Sequence, residues 1–284
     1  LNSRFFTVTM PKNKNFAAVV LAAGLGTRMK SDLPKVLHYL GDMSLAERAI
    51  RKVAALGPEK IIVITGHRAE LVEAELAKKL GPEILAKTVF IRQRLLKGSG
   101  RAVQEAMGLI RRHAHAMVLC GDAPLFRAAT VKKMRDYYFR NSPDCLVMTA
   151  DLPEPGSYGR IKRDHAGSVA AIIEAADADE WEKAIKEVNS GTYFFGVRAL
   201  EKALKNLKKK GSKGEYYLTD AVENIIAAGG RAAAFKLDDA TEMTGINSRA
   251  DLAAAYAMLV RRKAADLMAD GVTVTDPANT YIEE

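Results

Sequence analysis

The feature that most restricts the fold is a regular alternation of short apolar runs with longer helix-patterned stretches through the first half of the 284 residues. Phe16 to Leu21 precedes Ser44 to Leu56, Lys60 to Thr65 precedes Ala69 to Leu80, Thr88 to Ile91 precedes Ser99 to Arg112, and Ala116 to Cys120 precedes Thr130 to Arg140. Such β-α alternation predicts a mainly parallel sheet with helices on both faces. In sheets of this kind ligands sit beyond the carboxyl ends of the strands, so the turns after the first and fourth strands are the places to search. With 48% hydrophobic residues, the chain can bury a real core and suits one main domain with an appendage.

From Cys145 the pattern changes. "CLVMTADL", "YGRIKRDHAGSVAAIIE" and "GTYFFGV" read as strands, with Asp164 to Gly167 as a hairpin turn, and together they predict a second half that closes over a ligand. Asn247 to Ala269 reads as one long alanine-rich helix, followed by an extended stretch. The expected division is an upstream extension or cloning remnant over 1–9, with Met10 as the natural start, a main domain over 10–246, a connecting helix over 247–271 and the beginning of a further unit over 272–284.

Lysine and arginine outnumber the acids 43 to 34, and the excess is dispersed, which favours a small anionic substrate over nucleic acid. Cys120 and Cys145 have no metal-type spacing and predict neither a disulfide framework nor a zinc site, as in a cytoplasmic protein. No apolar stretch reaches the roughly 18 residues of a membrane helix. His113 and His115 read as surface residues.

The string "LAAGLGTRMK", residues 21 to 30, places bare backbone around Gly24 and Gly26 directly after the first strand. Without side chains in the way, such amides can reach phosphate oxygens, and Arg28 can hold a phosphate bidentately. A plain strand-to-helix turn would use the same glycines. Neither a Walker A loop nor a dinucleotide fingerprint is present, since Met29 stands where the latter needs its third glycine. Pro34 and Lys35 add a second cation on the same loop, able to flank a polyphosphate opposite Arg28.

The full string "LAAGLGTRMKSDLPKVLH" resembles the signature of the sugar-1-phosphate nucleotidyltransferases, and its ending looks most like the uridyltransferase domain of the bacterial bifunctional enzymes that make UDP-N-acetylglucosamine. "QRLLKGSGRA" from Gln93 resembles the family's uracil-reading segment, "LCGDAPL" its metal motif, and "GINSR" the segment that supplies a second metal ligand. "YGRI", "IIEAADA", "VNSG" and "GEYYLTD" resemble its sugar-binding segments.

The resemblance implies an α/β fold with a Rossmann-like, mixed and mainly parallel sheet of the nucleotide-diphospho-sugar transferase (GT-A-like) type, ending in a long helix. It implies transfer of a uridylyl group from UTP to N-acetylglucosamine-1-phosphate with Mg²⁺ as cofactor. Arg28 and Lys35 are the implied catalytic cations. Leu21, Ala22, Ala23, Gly24, Gln93, Gly98 and Ser99 hold the nucleotide; Tyr158, Gly159, Glu174, Asn189, Tyr216 and Thr219 hold the sugar; Asp122 and Asn247 bind the metal. The lesser alternatives are a turn cap for Asp122, the N-cap of the long helix for Asn247 (alone or together with the metal), and ordinary surface polarity for Glu174 and Asn189, while for Tyr158 a sugar-site neighbour and a packing aromatic are equal readings. One carboxylate and one amide make a poor cage for a free divalent ion, so metal is expected to arrive with the nucleotide.

Leu25 stands where the family usually carries lysine, and Ala176 where "KDA" is common. These departures keep open a different sugar phosphate or nucleotide, and a non-catalytic sugar-nucleotide binding protein. An NAD-dependent oxidoreductase is disfavoured by Met29. Relatives of this kind continue into a left-handed β-helix that acetylates and trimerises, so the resemblance leaves the oligomeric state of this chain open. No membrane or nucleic-acid partner is implied.

Overall fold

The computed structural model describes residues 14–210 and 214–282; the 1–9 extension, the start at Met10 and residues 283–284 lie outside the described residues. In chain order the elements are β1 (Phe16–Ala22), β2 (Tyr39–Leu40), β3 (Met43–Ser44), α1 (Leu45–Ala54), β4 (Lys60–Thr65), α2 (Ala69–Lys79), α3 (Pro82–Lys87), β5 (Thr88–Arg92), α4 (Ser99–Ile110), β6 (His115–Cys120) and α5 (Ala128–Asn141). They continue with β7 (Cys145–Asp151), β8 (Arg160–Arg163), β9 (Val169–Ile173), α6 (Glu180–Lys183), β10 (Glu187–Gly196), α7 (Val197–Lys205), α8 (Thr219–Ala227), β11 (Ala232–Lys236) and α9 (Arg249–Ala269).

Among the described residues, nine strands form one sheet with the spine β11-β7-β10-β6-β1-β4-β5. β1 pairs in parallel with both β4 and β6, and β4 with β5. β10 is antiparallel to both β6 and β7, while β11 lies parallel to β7. The mainly parallel α/β architecture is therefore as the alternation predicts. β7, β10 and β11 extend the same sheet, and the β8–β9 hairpin joins it off this spine through a Val188 to Arg160 pairing.

β1 shows why the core forms where it does. Phe16, Ala18, Val20 and Ala22 enter one apolar cluster with α1, α2 and α5, whereas Ala17 and Val19 enter the opposite cluster with α4, α7 and α8. Side chains alternate across a strand, so an uninterrupted apolar run is what a strand covered on both faces requires. A smaller third cluster, including Leu40, Leu45, Leu125, Ile246, Ala255 and Leu259, packs α9 against the β2–β3 hairpin and the turn after β6.

Two expectations need correction. The long helix begins at Arg249, and Ser248, not Asn247, is its N-cap: the Ser248 hydroxyl accepts from Asp251 N, and the Asp251 carboxylate accepts from Ser248 N at 2.9 Å. Such a reciprocal box contributes about 1 kcal/mol and releases Asn247 from capping. His113 and His115 are half-buried and engaged, not freely exposed surface residues. The His113 side chain is 8% exposed and pairs with Glu59 at 3.0 Å, and His115 Nδ1 lies 2.9 Å from the Tyr138 hydroxyl beside the Phe139 ring.

Candidate active site

The loops beyond the carboxyl ends of β1, β5 and β6 meet in a cleft of about 310 Å³. Leu21, Ala23, Gly24, Gln93, Gly98 and Ser99 all line it, together with Leu25, Lys35, Leu96, Cys120 and Asp122. Ala22 does not: its side chain faces the opposite core cluster. Gly24 is exposed, and a Cβ there would meet no protein atom within 4 Å. The fold itself thus has no steric need of glycine at that position, whereas an approaching ligand would.

The rest of this loop is pinned. Gly26 is left-handed, and Met29, buried to 1% exposure, anchors a single 3-10 turn over Thr27–Met29. A second 3-10 turn, Lys35–Leu37, follows Pro34 and swings Lys35 back under Gly26. Across the cleft, Gln93 donates from its amide to Leu95 O at 2.8 Å, and the 97–100 segment is clamped by Tyr216, whose N donates to Lys97 O and whose O accepts from Gly100 N, both at 2.8 Å. Gly98 permits that clamp: it has φ +92°, and a Cβ would lie 2.5 Å from Tyr216 O. The Ser99 hydroxyl accepts from Leu218 N.

A second, more open cavity of about 560 Å³ is lined by Arg28, Tyr158, Gly159, Glu174, Asn189 and Asn247, with Ser190, Gly191 and Asp251. Cys120 and Asp122 line both cavities, so β6 ends at their junction. Two of the residues expected in the sugar site are elsewhere. Tyr216 lines neither cavity and serves the first through its backbone, and Thr219 is buried, donating its hydroxyl to Glu174 Oε1 at 2.8 Å. Thr219 therefore orients a lining carboxylate instead of lining the cavity.

Asp122 is set by backbone on both sides. Gly121 N donates to Leu21 O at 2.9 Å, and Asp122 O accepts from Ile246 N at 2.9 Å, which draws the segment before α9 alongside. Asn247 is held by its own N–H donating to Asp251 Oδ2. Between the two lies the Lys35 ammonium, ion-paired with Asp122 and donating to Asn247 Oδ1 at 2.9 Å. The side chains of Lys35 and Asp122 are only 11% and 23% exposed.

Electrostatics differ between the lining groups. Burial raises the Glu174 pKa above the usual carboxylate value, with the Thr219 hydrogen bond opposing it. Burial, with Asp122 adding to it, pushes the Cys120 thiol up to about 12, so it is protonated at neutral pH. Burial also raises Tyr158, whose hydroxyl accepts from Gly245 N at 3.1 Å and tethers the loop ahead of Asn247. Asn189 is engaged within the protein: its Oδ1 accepts from Gly191 N and its Nδ2 donates to the Tyr193 hydroxyl at 2.6 Å.

Asp122 Oδ and Asn247 Oδ1 are hard oxygen donors converging on one cation position, which suits Mg²⁺. Among the described residues no three His, Cys, Asp or Glu side chains cluster as a metal site. Two protein oxygens completed by water and substrate phosphates are what Mg²⁺ accepts, whereas a zinc or calcium cage would need more. Sequence reasoning missed Cys120 and Asp251 as lining residues. Both signals were within the quoted strings or one helical turn of them, in "LCGDAPL" and at the third position of α9.

The model of MobA-like NTP transferase domains matches residues 18–221. The chain belongs to that family. The matched range holds both cavities' strand-end loops, and this NTP transferase domain adds the 245–247 segment and α9 beyond it. The chain is 39% identical over 267 residues to the bifunctional protein GlmU of Streptococcus gordonii, and 42% identical over 270 residues to that of Lactococcus lactis subsp. cremoris. These matches cover 94% and 95% of this chain but 56% and 57% of the relatives, so the chain spans little more than half their length. In fold it is similar to a UDP-glucose pyrophosphorylase solved with UDP-glucose, at a TM-score of 0.68 and 20% identity over 85% of this chain and 97% of that one. Among the described residues no helix is long and apolar enough to cross a membrane.

Proposed function

We propose that this NTP transferase domain transfers a uridylyl group from UTP to N-acetylglucosamine-1-phosphate, giving UDP-N-acetylglucosamine and pyrophosphate. The observation that carries the reading is the junction: two cavities share Asp122, and Lys35 and Asn247 converge on it. The substrates are those the motif resemblance implies, and similarity to GlmU proteins over nearly all of this chain supports them.

In this reading the nucleotide occupies the 310 Å³ cleft, with its phosphates against the Gly24 backbone and its base toward Gln93. The sugar phosphate occupies the second cavity, where Glu174 accepts from sugar hydroxyls. An oxygen of the sugar phosphate forms a bond to the α-phosphorus while the bond from that phosphorus to the bridging oxygen of pyrophosphate breaks. Both reactants are anions, so the work is positioning and charge neutralisation; orientation alone can supply roughly 7–11 kcal/mol. Lys35, at the junction, neutralises the triphosphate, and Arg28, exposed on the rim of the second cavity, reaches toward the departing charge. Mg²⁺, held by Asp122 and Asn247, would supply further neutralisation of the phosphates. The protonated Cys120 thiol takes no part as a nucleophile.

The test is product identity. The chain incubated with each of the four common nucleoside triphosphates, N-acetylglucosamine-1-phosphate and Mg²⁺ should give UDP-N-acetylglucosamine by mass and little product from CTP or GTP. Product from another triphosphate in preference to UTP would reassign the nucleotide, and absence of any nucleotide sugar would remove the proposal.

A further inference from the structure

We infer that the Lys35 ammonium is a built-in occupant of the cation position between Asp122 and Asn247, and that it must leave before a divalent ion can use those two oxygens. The inference rests on the uridylyl-transfer reading only for what draws Lys35 away, namely the nucleotide's phosphates.

The geometry carries the first part. Lys35 donates both to the Asp122 carboxylate and to the Asn247 amide oxygen, the two protein oxygens suited to Mg²⁺. The two ligands come from places 125 residues apart in the chain, yet both close on the one Lys35 nitrogen. The contact is also held from behind. Pro34 fixes the approach at φ −51°, the 3-10 turn follows, and Gly26 lies against Lys35 Cβ. The backbone of Lys35 therefore stays in place while its four-carbon stem remains free to swing, a capacity that arginine's planar fork has less of.

Charge carries the second part. An ammonium and a divalent cation sharing one carboxylate would be a few ångströms apart in a partly enclosed site, where like charges repel more strongly than in bulk water. The Asp122 carboxylate and the Asn247 amide between them carry one negative charge, which the Lys35 ammonium already balances. A metal ion alone must displace that ammonium without compensation. A polyphosphate in the adjacent cleft, which Lys35 also lines, offers the ammonium a second anionic partner, and Asp122 and Asn247 are then released together. Lys35 thus couples the two ligands: it keeps metal affinity low until the nucleotide is present.

The experiment titrates Mn²⁺ by electron paramagnetic resonance into the full chain without nucleotide, comparing wild type with Lys35→Met, Lys35→Gln and the double variant Lys35→Met/Asp122→Ala, each checked by thermal melting. Two single variants keep the comparison readable should one fold poorly. Removing one unit charge from this partly enclosed site should tighten Mn²⁺ binding about tenfold in Lys35→Met and Lys35→Gln, and the gain should vanish in the double variant. Wild type should gain a similar factor on addition of a non-hydrolysable UTP analogue. No gain in either single variant, or a gain that survives Asp122→Ala, overturns the inference. Because the comparison of wild type with the Lys35 variants contains no nucleotide, failure of the uridylyl-transfer reading shows separately, as no pyrophosphate release by wild type.

Discussion

Gly26 and Lys35 are in such close contact that a Cβ on the glycine would lie 2.6 Å from the lysine Cβ. Gly26 also sits at φ +61°, where an L side chain is strained whatever the space. The glycine of the opening loop is thereby explained by the placement of a cation, not by the turn alone. Gly26→Ala should cost about 1–2 kcal/mol of stability and displace Lys35 from Asp122, lowering kcat at least tenfold while the melting transition stays cooperative. Near-normal kcat in a folded Gly26→Ala protein would show that Lys35 placement does not matter.

Ser248 and Asn247 separate stability from chemistry at adjacent positions. Ser248→Ala breaks the capping box of α9 and should lower stability by about 1 kcal/mol with little change in KM. Asn247→Ala leaves the cap intact and should instead depress turnover and raise the Mg²⁺ concentration needed for half-maximal rate. Urea unfolding paired with Mg²⁺ titration of the rate reads both.

Glu174 gives a pH signature. Burial raises its pKa above the usual glutamate value of 4.5, so on acidification it takes up its proton earlier than an exposed glutamate would. Protonation removes an acceptor for sugar hydroxyls. KM for the sugar phosphate should therefore rise as pH falls toward the acid side, starting above 4.5, and this limb should be absent in Glu174→Gln, whose KM is raised at all pH values. Glu174→Ala should likewise raise KM more than it lowers kcat.

Lys52 gives a second, located away from the chemistry. It is half-buried, donates to Pro124 O in the turn after Asp122, and its pKa is lowered to about 7 by desolvation first, then by Arg48 and Arg262. Below pH 7 the folded protein carries this charge at full penalty. Between about 7 and the unfolded value near 10.5 the unfolded chain binds a proton that the folded one has released, so stability rises with pH, by about 1 kcal/mol per unit. Denaturant unfolding at pH 6.5, 8 and 9 should show this rise in wild type and a flatter profile in Lys52→Met.

The strand-helix alternation of the first half was legible because β1, β4 and β6 are buried on both faces and so read as unbroken apolar runs. The order of β7 and β10 in the same sheet was not legible: neighbouring strands there run antiparallel through a bulge between Asn189 and Tyr193, and nothing local distinguishes a sheet extension from a separate lobe. α7 and α8, nine residues each, are shorter than α2, α4 and α5 and went unread. Capping stood as the alternative role for Asn247 because serine and asparagine are both good N-caps, and only the Asp251 partner decides between them. The convergence of Lys35, Asp122 and Asn247 spans 212 positions; spacing carries no trace of it, and it was reached through motif resemblance. Tyr216 and Thr219 were given direct roles, yet one acts through its backbone and the other through Glu174.

The most direct measurement of the central claim is pyrophosphate release from UTP and Mg²⁺ with N-acetylglucosamine-1-phosphate, set beside glucose-1-phosphate, a chelator control and Asp122→Ala. The account predicts release that prefers the acetylated sugar, stops with chelator and is lost in Asp122→Ala. Release undiminished by chelator or by Asp122→Ala would contradict the role assigned to the junction of the two cavities, and no release with either sugar phosphate would contradict the proposed reaction itself.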